Sequence, residues 1–137
     1  MTKHHQYIGG AGGEGVGYMA GGSLGAALAN RKYGRVTVSM QCDGDLMYSP
    51  GGLWTAARYR IDAVFVILNN SSYRILKQRL HAMRGLAEQA DSYVGMELLD
   101  PKIDFIGLAR SLGIKAERAR TVHEATDLLA QGLNGSG

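Results

Sequence analysis

Two short polar stretches of the sequence carry residues that could bind a metal ion. Asp43 and Gly44 shortly follow the apolar run 36–40, and the pair Asn69–Asn70 directly follows the apolar run 63–68. A carboxylate and an amide oxygen are hard ligands that suit Mg²⁺, which takes few protein oxygens and completes its octahedron with phosphate oxygens and water. The pattern therefore predicts a site for Mg²⁺ and a phosphate-bearing ligand.

The elements around these stretches would bring them together. Both apolar runs are rich in β-branched residues and are bounded by turn residues, which is typical of buried parallel strands. The stretch Gly51–Arg60 between them can supply the crossover helix of a βαβ unit. Ligands of open parallel sheets bind at the carboxyl ends of the strands, where Asp43 and Asn70 would lie.

The composition is that of one globular domain. The chain has 137 residues, of which 45% are hydrophobic and 20% are charged, and this size supports a substantial core. We expect a single domain over residues 1–137, with a core from about 7 to 133 and a flexible tail at 134–137. The net charge of +3 is mild, and no basic face with interleaved aromatic residues is visible. A nucleic-acid partner is therefore not expected.

The cysteine content and the hydropathy pattern favour a cytoplasmic location. Cys42 is the only cysteine in the sequence, so no disulfide within the chain is possible and a reducing compartment fits. The first residues lack the apolar core of a signal peptide, and no apolar run approaches the length of a membrane span. We therefore expect no membrane partner.

The glycine-rich stretch Gly9–Gly17 leaves an alternative open. It contains the pattern Gly10-x-Gly12-x-x-Gly15, which in dinucleotide-binding domains lies between a strand and a helix, with an acidic ribose ligand further on, where Asp43 stands. The residues before this stretch are few and polar for a strand. This alternative, a nicotinamide-dependent dehydrogenase, also leaves the pair Asn69–Asn70 unexplained.

A family resemblance accounts for both polar stretches. Asp43–Gly44 followed by Asn69–Asn70 resembles the motif of the thiamine-diphosphate-dependent enzymes, which begins Gly-Asp-Gly and ends Asn-Asn. The intervening stretch Leu53–Tyr59 is similar to the helix of the benzoylformate decarboxylase and acetolactate synthase group. The resemblance covers about residues 7–133. It implies an α/β fold with a doubly wound, mostly parallel sheet and helices on both faces, truncated before its last core strand.

The resemblance also implies a site for thiamine diphosphate and Mg²⁺. The metal ligands would be the Asp43 carboxylate, the Asn70 side-chain oxygen and the Ser72 backbone carbonyl. Val16 would be an apolar wedge that keeps the cofactor bent, and the carbonyl at or near Glu14 would accept from the 4′-amino group of its pyrimidine ring. The implied cofactor-binding residues are Glu14, Gly15, Val16, Gly44, Asp45, Asn70 and Tyr73.

Two residues depart from the family pattern. Cys42 stands where the first glycine of the motif is usual, and Asp45 stands where a small polar residue often follows it. The Asp45 carboxylate would repel the diphosphate unless it points away, caps the helix after the turn, or binds the metal through water. Cys42 is expected to be a small buried apolar residue, with no redox role.

The rest of the chain is predicted to be mainly helical. Thr121 and Glu124 form a capping-box pattern at the start of the last helix, and the polar connection 85–101 is expected to order around cofactor and substrate. The further predicted elements are helices at 18–30, from about 74 to Arg84, at 104–112 and from 121, and a short strand at 114–117.

The resemblance limits what this chain can do alone. It implies a diphosphate-binding domain of a carbon–carbon lyase or transferase that acts on 2-oxo acids, either a decarboxylase or an acetolactate-synthase-like enzyme. The glutamate that activates the cofactor belongs to a separate pyrimidine-binding domain, usually of a neighbouring subunit in a homodimer or tetramer. We therefore name no catalytic residue here and expect the fragment alone to be inactive. A truncated remnant without a ligand is the non-enzymatic alternative.

Overall fold

The computed structural model describes residues 6–9 and 13–135, which form an α/β arrangement. The elements in chain order are α1 (Tyr18–Arg31), β1 (Thr37–Cys42), α2 (Asp43–Tyr48), α3 (Gly51–Tyr59), β2 (Ala63–Leu68), α4 (Arg74–Ala82), α5 (Leu86–Gln89), α6 (Phe105–Ser111) and α7 (Val122–Asn134). Within the described part of the chain, no helix is long and apolar enough to cross a membrane.

The two strands pair in parallel, as predicted. Their register runs from Thr37 opposite Ala63 to Cys42 opposite Leu68. The boundaries of β2 match the prediction, whereas β1 begins one residue later and ends two residues later than the apolar run. Cys42, the last residue of β1, is exposed and not buried as expected, because it follows the buried Gln41 and alternate side chains of a strand lie on opposite faces. Helix α3 crosses between the strands, as the parallel pairing requires. Asp43 and Asn69, which follow the paired residues Cys42 and Leu68, therefore leave the sheet at the same edge.

One face of the sheet is covered by α1, α3 and α6. A first group of apolar side chains joins α1 to α3 and includes Leu24 and Ala56. A second group joins α2, α3 and α6 and includes Leu46, Leu53 and Ala109. Phe65 of β2 packs against both groups, so the core lies directly beneath the strand that ends at the Asn pair.

The opposite face is only partly covered. Helix α7 lies close to β2, because a Cβ added at Gly132 would be 3.1 Å from Val64 Cγ2. Next to it, Val38 and Met40 of β1 stay exposed at 40% and 62%. Side chains alternate between the two faces of a strand, and the partners of Val38 and Met40 on β2 are Val64 and Val66. Helices therefore pack on both faces of the sheet, but β1 is covered on one face.

The predicted strand at 114–117 does not form. These residues have no regular structure, although Ile114 and Ala116 pack against the core. The Arg110 guanidinium donates to the Ala116 carbonyl at 2.9 Å, so a side chain, and not a neighbouring strand, contacts this backbone acceptor. The apolar alternation that suggested a strand reflects packing against α6 and the sheet, without a ladder to β2.

The helix ends follow the local signals in the sequence. The capping box predicted at Thr121 is present, with the Thr121 hydroxyl accepting from the Glu124 amide and the Glu124 carboxylate accepting from the Thr121 amide. Helix α6 ends before Gly113, whose φ of 85° lies in the left-handed region. Asn134, which we assigned to the tail, is instead the last residue of α7.

Candidate cofactor site

Asp43 is buried at the first position of α2, immediately after β1. Its exposed fraction is 0%, and one carboxylate oxygen, Oδ2, accepts from the Ser71 amide at 2.6 Å. The other oxygen, Oδ1, is buried and has no hydrogen-bond partner among the described residues. A buried carboxylate is costly unless its oxygens are paired. Asp43 therefore presents an uncompensated hard oxygen at the edge of the sheet.

The Asn pair forms a tight turn that faces Asp43. Asn69 Oδ1 accepts from the Ser71 amide at 3.0 Å, and Asn70 Oδ1 accepts from the Ser72 amide at 3.0 Å. Both are local turns in which an Asn side chain contacts the backbone two residues on. Ser71, at the centre of the turn, has a left-handed φ of 57°. The side-chain oxygen of Asn70 is thus held in place, and it retains a second lone pair.

This donor set fits a magnesium ion. The unpartnered Oδ1 of Asp43 is the kind of buried atom for which a bound ion or water is expected. An Asn side-chain oxygen and a backbone carbonyl lie on the turn that Asp43 contacts, and Mg²⁺ prefers such oxygens. Within residues 6–9 and 13–135, no group of three or more His, Cys, Asp or Glu side chains could hold a metal. A metal ion at this edge would therefore need neutral oxygens as ligands besides the carboxylate of Asp43.

The end of the glycine loop is fixed to α2. The Gly17 amide donates to Asp45 Oδ1 at 2.7 Å, and the Ser49 hydroxyl donates to the Gly17 carbonyl at 2.5 Å. Gly17 has a φ of 94° and precedes α1. One oxygen of the Asp45 carboxylate therefore points to the glycine loop, whereas the other, Oδ2, is buried without a hydrogen-bond partner among the described residues.

The residues expected to contact the rings of the cofactor precede this fixed point. Glu14, Gly15 and Val16 are exposed, and the residue that follows them, Gly17, is bonded to Asp45 and Ser49. Gly10 and Gly12 of the alternative dinucleotide pattern lie outside the described residues. Residues 7–9 form no strand ahead of the loop, which does not fit that alternative.

Tyr73 packs against the start of α2. A Cβ added at Gly44 would lie 2.6 Å from Tyr73 Cε1, so the ring needs the absence of a side chain at Gly44. The ring also meets Tyr48 edge to face, with centroids 5.8 Å apart. The pKa of Tyr73 is raised above 10.0, first by burial and then by Tyr48 and Asp43. Tyr73 thus lies beside Asp43 and Gly44.

The connection 85–101 contributes a contact that the sequence did not predict. The Leu98 amide donates to the Ser71 carbonyl and the Tyr73 amide donates to the Met96 carbonyl, each at 2.8 Å. The Ser72 hydroxyl also donates to the Met96 carbonyl at 2.8 Å. The turn that follows the Asn pair is therefore held between Asp43 on one side and residues 96–98 on the other.

An ion pair joins α4 to the same connection. Lys77 Nζ lies 2.7 Å from Glu97 Oε1 and 5.1 Å from the centroid of the Tyr93 ring. The hydrogen bond between them lowers the pKa of Glu97 and raises the pKa of Lys77. A groove of about 410 Å³ opens beside these three residues. The pair supports the turn of the candidate site from outside.

The structure thus brings most of the predicted site residues together. Asp43, Gly44 and Tyr73 meet where the strands end, next to Asn70 and Ser72. Two contributors were missed: Ser71, whose amide contacts Asp43, and Ser49, whose hydroxyl contacts Gly17. A serine directly after an Asn pair is a turn signal that could have indicated the first. No local pattern marks Ser49, because its partner lies 32 positions away.

Comparisons with known proteins agree with this geometry. Residues 1–137 match the family described as thiamine pyrophosphate enzyme, C-terminal TPP binding domain. Benzoylformate decarboxylase of Pseudomonas aeruginosa is 36% identical over 123 residues, which are 90% of this chain and 21% of that protein. Acetolactate synthase of Bacillus subtilis is 28% identical over 116 residues, 84% of this chain and 18% of that protein.

A solved structure shows the same relationship. The thiamine diphosphate-dependent 4-hydroxybenzoylformate decarboxylase of Rhodococcus jostii RHA1 superposes with a TM-score of 0.71 at 28% identity, over 89% of this chain and 21% of that one. The chain spans about a fifth of the length of the relatives it matches. Neither these matches nor the fold supports the dinucleotide-binding alternative. The chain therefore belongs to the C-terminal thiamine diphosphate-binding domains of the thiamine pyrophosphate enzymes.

Proposed function

We propose that this domain binds the diphosphate of its cofactor through a Mg²⁺ ion at the joined ends of β1 and β2. The observation that carries the proposal is the buried Asp43 carboxylate, with one oxygen on the Ser71 amide and the other without a partner in the described structure. The ligands would be Asp43, the side-chain oxygen of Asn70 and the carbonyl of Ser72. Diphosphate oxygens and water would complete the octahedron that Mg²⁺ requires.

The remaining predicted residues would shape the cofactor site. Gly44 carries no side chain and allows the backbone of α2 to approach the phosphates, while Tyr73 packs over that approach. Glu14, Gly15 and Val16 would contact the rings of the cofactor from the exposed glycine loop. The resemblance to the family motif supports these roles.

We propose that the domain belongs to a lyase or transferase that acts on 2-oxo acids. The relatives named above are decarboxylases of aryl-substituted 2-oxo acids and an acetolactate synthase. When bound, the thiazolium ring of the cofactor supplies the electron sink for decarboxylation. The residues of this chain bind the diphosphate and orient the cofactor toward its substrate.

The chain alone is proposed to be inactive. It covers about a fifth of its relatives, and a pyrimidine-binding domain with the activating glutamate would come from the same or a partner subunit of a homodimer or tetramer. Turnover of pyruvate or benzoylformate by the purified chain would contradict this proposal. The unpaired Cys42 supports a reducing compartment such as the cytoplasm.

The thermal unfolding midpoint tests the cofactor site directly. A ligand that binds only the folded state raises the midpoint. We expect thiamine diphosphate with Mg²⁺ to raise it in the native chain, and expect EDTA or Asn70→Ala to abolish the rise. Asn134→Ala, at the exposed end of α7, is the matched control and should keep the full rise. A rise that survives EDTA and Asn70→Ala would contradict the proposed metal site.

A further inference from the structure

The contact between Asp45 and Gly17 joins the end of the glycine loop to α2. The bond from the Gly17 amide to Asp45 Oδ1 is 2.7 Å long and spans 28 positions of the sequence. The Ser49 hydroxyl donates to the carbonyl of Gly17. Both polar groups of the Gly17 peptide backbone are therefore held by α2 or by the residue that ends it.

The local geometry makes these two bonds specific. Gly17 adopts a φ of 94°, and a Cβ there would lie 2.6 Å from Tyr48 Cβ. A close backbone approach to α2 is thus possible only for glycine. Val16, immediately before, is about half exposed at 48%. Val16 is therefore joined directly to the constrained turn at Gly17.

From this arrangement we infer that Asp45 is a positioning residue for the glycine loop. Its carboxylate holds the Gly17 amide, and through it fixes Val16 and the backbone of Glu14 against the edge of the sheet that carries Asp43. This inference rests on the proposed function, because the loop is expected to contact the rings of the cofactor. Oδ1 of this carboxylate is bonded to an amide of the protein, whereas Oδ2 is buried without a hydrogen-bond partner among the described residues.

The inference distinguishes two roles that a carboxylate at this position can have. A positioning residue needs an acceptor oxygen at the Oδ1 position, and Asn supplies one without the charge. A ligand that contacts the metal through water needs the charge itself. Asp45→Asn therefore separates the two roles, while Asp45→Ala removes both.

The first measurement is amide hydrogen exchange of Gly17 by NMR on the ¹⁵N-labelled chain without cofactor. We expect the Gly17 amide to be protected in the native chain and in Asp45→Asn, and to exchange at least tenfold faster in Asp45→Ala. Asp62→Ala, which removes an exposed aspartate before β2, is the matched control and should leave this amide unchanged. Equal protection in Asp45→Ala would overturn the inference, whether or not the chain binds cofactor.

The second measurement is the dissociation constant of thiamine diphosphate at saturating Mg²⁺. We expect a loss of about tenfold in Asp45→Ala, as for a hydrogen bond to a charged group, a smaller loss in Ser49→Ala, and recovery to within about threefold in Asp45→Asn. Equal losses in the Asn and Ala variants would show that the charge is required and would overturn the positioning role. If Asp45→Ala does not fold, Asp45→Asn and Ser49→Ala still decide the question. Absence of binding in the native chain would contradict the proposed function and the predicted effect on affinity, while exchange at Gly17 still tests the contact itself.

Discussion

Asp43 Oδ2 accepts a hydrogen bond from the Ser71 amide at 2.6 Å, and this bond closes the gap between the ends of the two strands. Ser71 has a left-handed φ of 57°, and its carbonyl accepts from Leu98. The turn at Ser71 therefore contacts both the buried Asp43 carboxylate, at the start of α2, and the segment that follows α5. The candidate metal site is formed by this junction of three segments.

The buried charge of Asp43 predicts a conflict between stability and binding. In the absence of ligands, Asp43→Asn should raise the free energy of unfolding by about 1 kcal/mol, because it removes a buried charge and keeps an acceptor for Ser71. The same variant should lose the rise in midpoint caused by thiamine diphosphate and Mg²⁺. Urea unfolding with and without ligands measures both effects. The exposed control Asp62→Asn should keep a free energy of unfolding within about 0.5 kcal/mol of the native chain. A lower free energy of unfolding in Asp43→Asn would contradict the predicted gain in stability.

Gly17 and Gly21 should respond to alanine in opposite directions. Gly17→Ala places a Cβ 2.6 Å from Tyr48 at a left-handed φ and should destabilise the chain by more than about 1 kcal/mol. Gly21 lies in α1 with open space around an added Cβ, so Gly21→Ala should stabilise by roughly 0.5–1 kcal/mol. Chemical denaturation of both variants checks the pair. Similar changes in the two would mean that the turn at Gly17 is not constrained as described.

Gly44 and Tyr73 should be energetically coupled. Gly44→Ala displaces the Tyr73 ring, whose Cε1 would lie 2.6 Å from the new Cβ, and overpacking of this kind costs about 1–3 kcal/mol. In the Tyr73→Ala background the same substitution should cost much less. A double-mutant cycle measures the coupling. Additive effects of the two substitutions would contradict the contact.

The capping box of α7 should make a measurable contribution to stability. Thr121→Ala removes the side-chain acceptor for the Glu124 amide and should cost about 1 kcal/mol. Thr126→Ala, in the same helix, removes only a bond to the Val122 carbonyl and should change stability by less than about 0.5 kcal/mol. Unfolding midpoints of the two variants provide the comparison. Equal costs would show that the N-cap has no special role.

The ion pair between Lys77 and Glu97 predicts a pH dependence of the turn that follows the Asn pair. Because the pKa of Glu97 is lowered from 4.5, the support it provides is complete above that value and is lost as the pH falls through the lowered pKa. Exchange of the Leu98 amide, corrected for the intrinsic rate, should therefore be less protected at low pH in the native chain. In Lys77→Ala this change should be absent. A pH effect of equal size in both chains would exclude the ion pair as its cause.

The sequence allowed the strands and their order to be predicted, because the signals for them are local. The run Ala63–Leu68 is apolar throughout and ends at two asparagines, so its boundaries matched. The predicted bounds of β1 differ from the observed ones because the strand includes a buried polar residue. Gln41 lies inside the strand and donates to the Ser39 hydroxyl at 2.7 Å. A hydrogen bond between two buried polar side chains of one strand cannot be recognised in a hydropathy pattern.

The contacts that hold the site together could not be predicted from the sequence. Asp43 and Asp45 are acidic residues in the first turn of α2, a local signal that favours a helix start. Their partners Ser71 and Gly17 each lie 28 positions away, and no local signal indicates them. Ser71 and Tyr73 are bonded to residues 96–98, which lie about 25 positions later in the sequence, beyond helices α4 and α5. Such pairings depend on where α4 and α5 place the chain, and local propensity does not specify this.

The uncovered face of β1 determines which apolar positions tolerate change. Val38 and Met40 occupy alternate positions of β1 and would be counted as core residues from the sequence, yet both are exposed. Ser39 and Gln41, which are polar, are the residues that the fold buries. In this chain, mutational tolerance along β1 is therefore the reverse of what hydropathy suggests: its hydrophobic residues are the replaceable ones, and its polar residues are constrained.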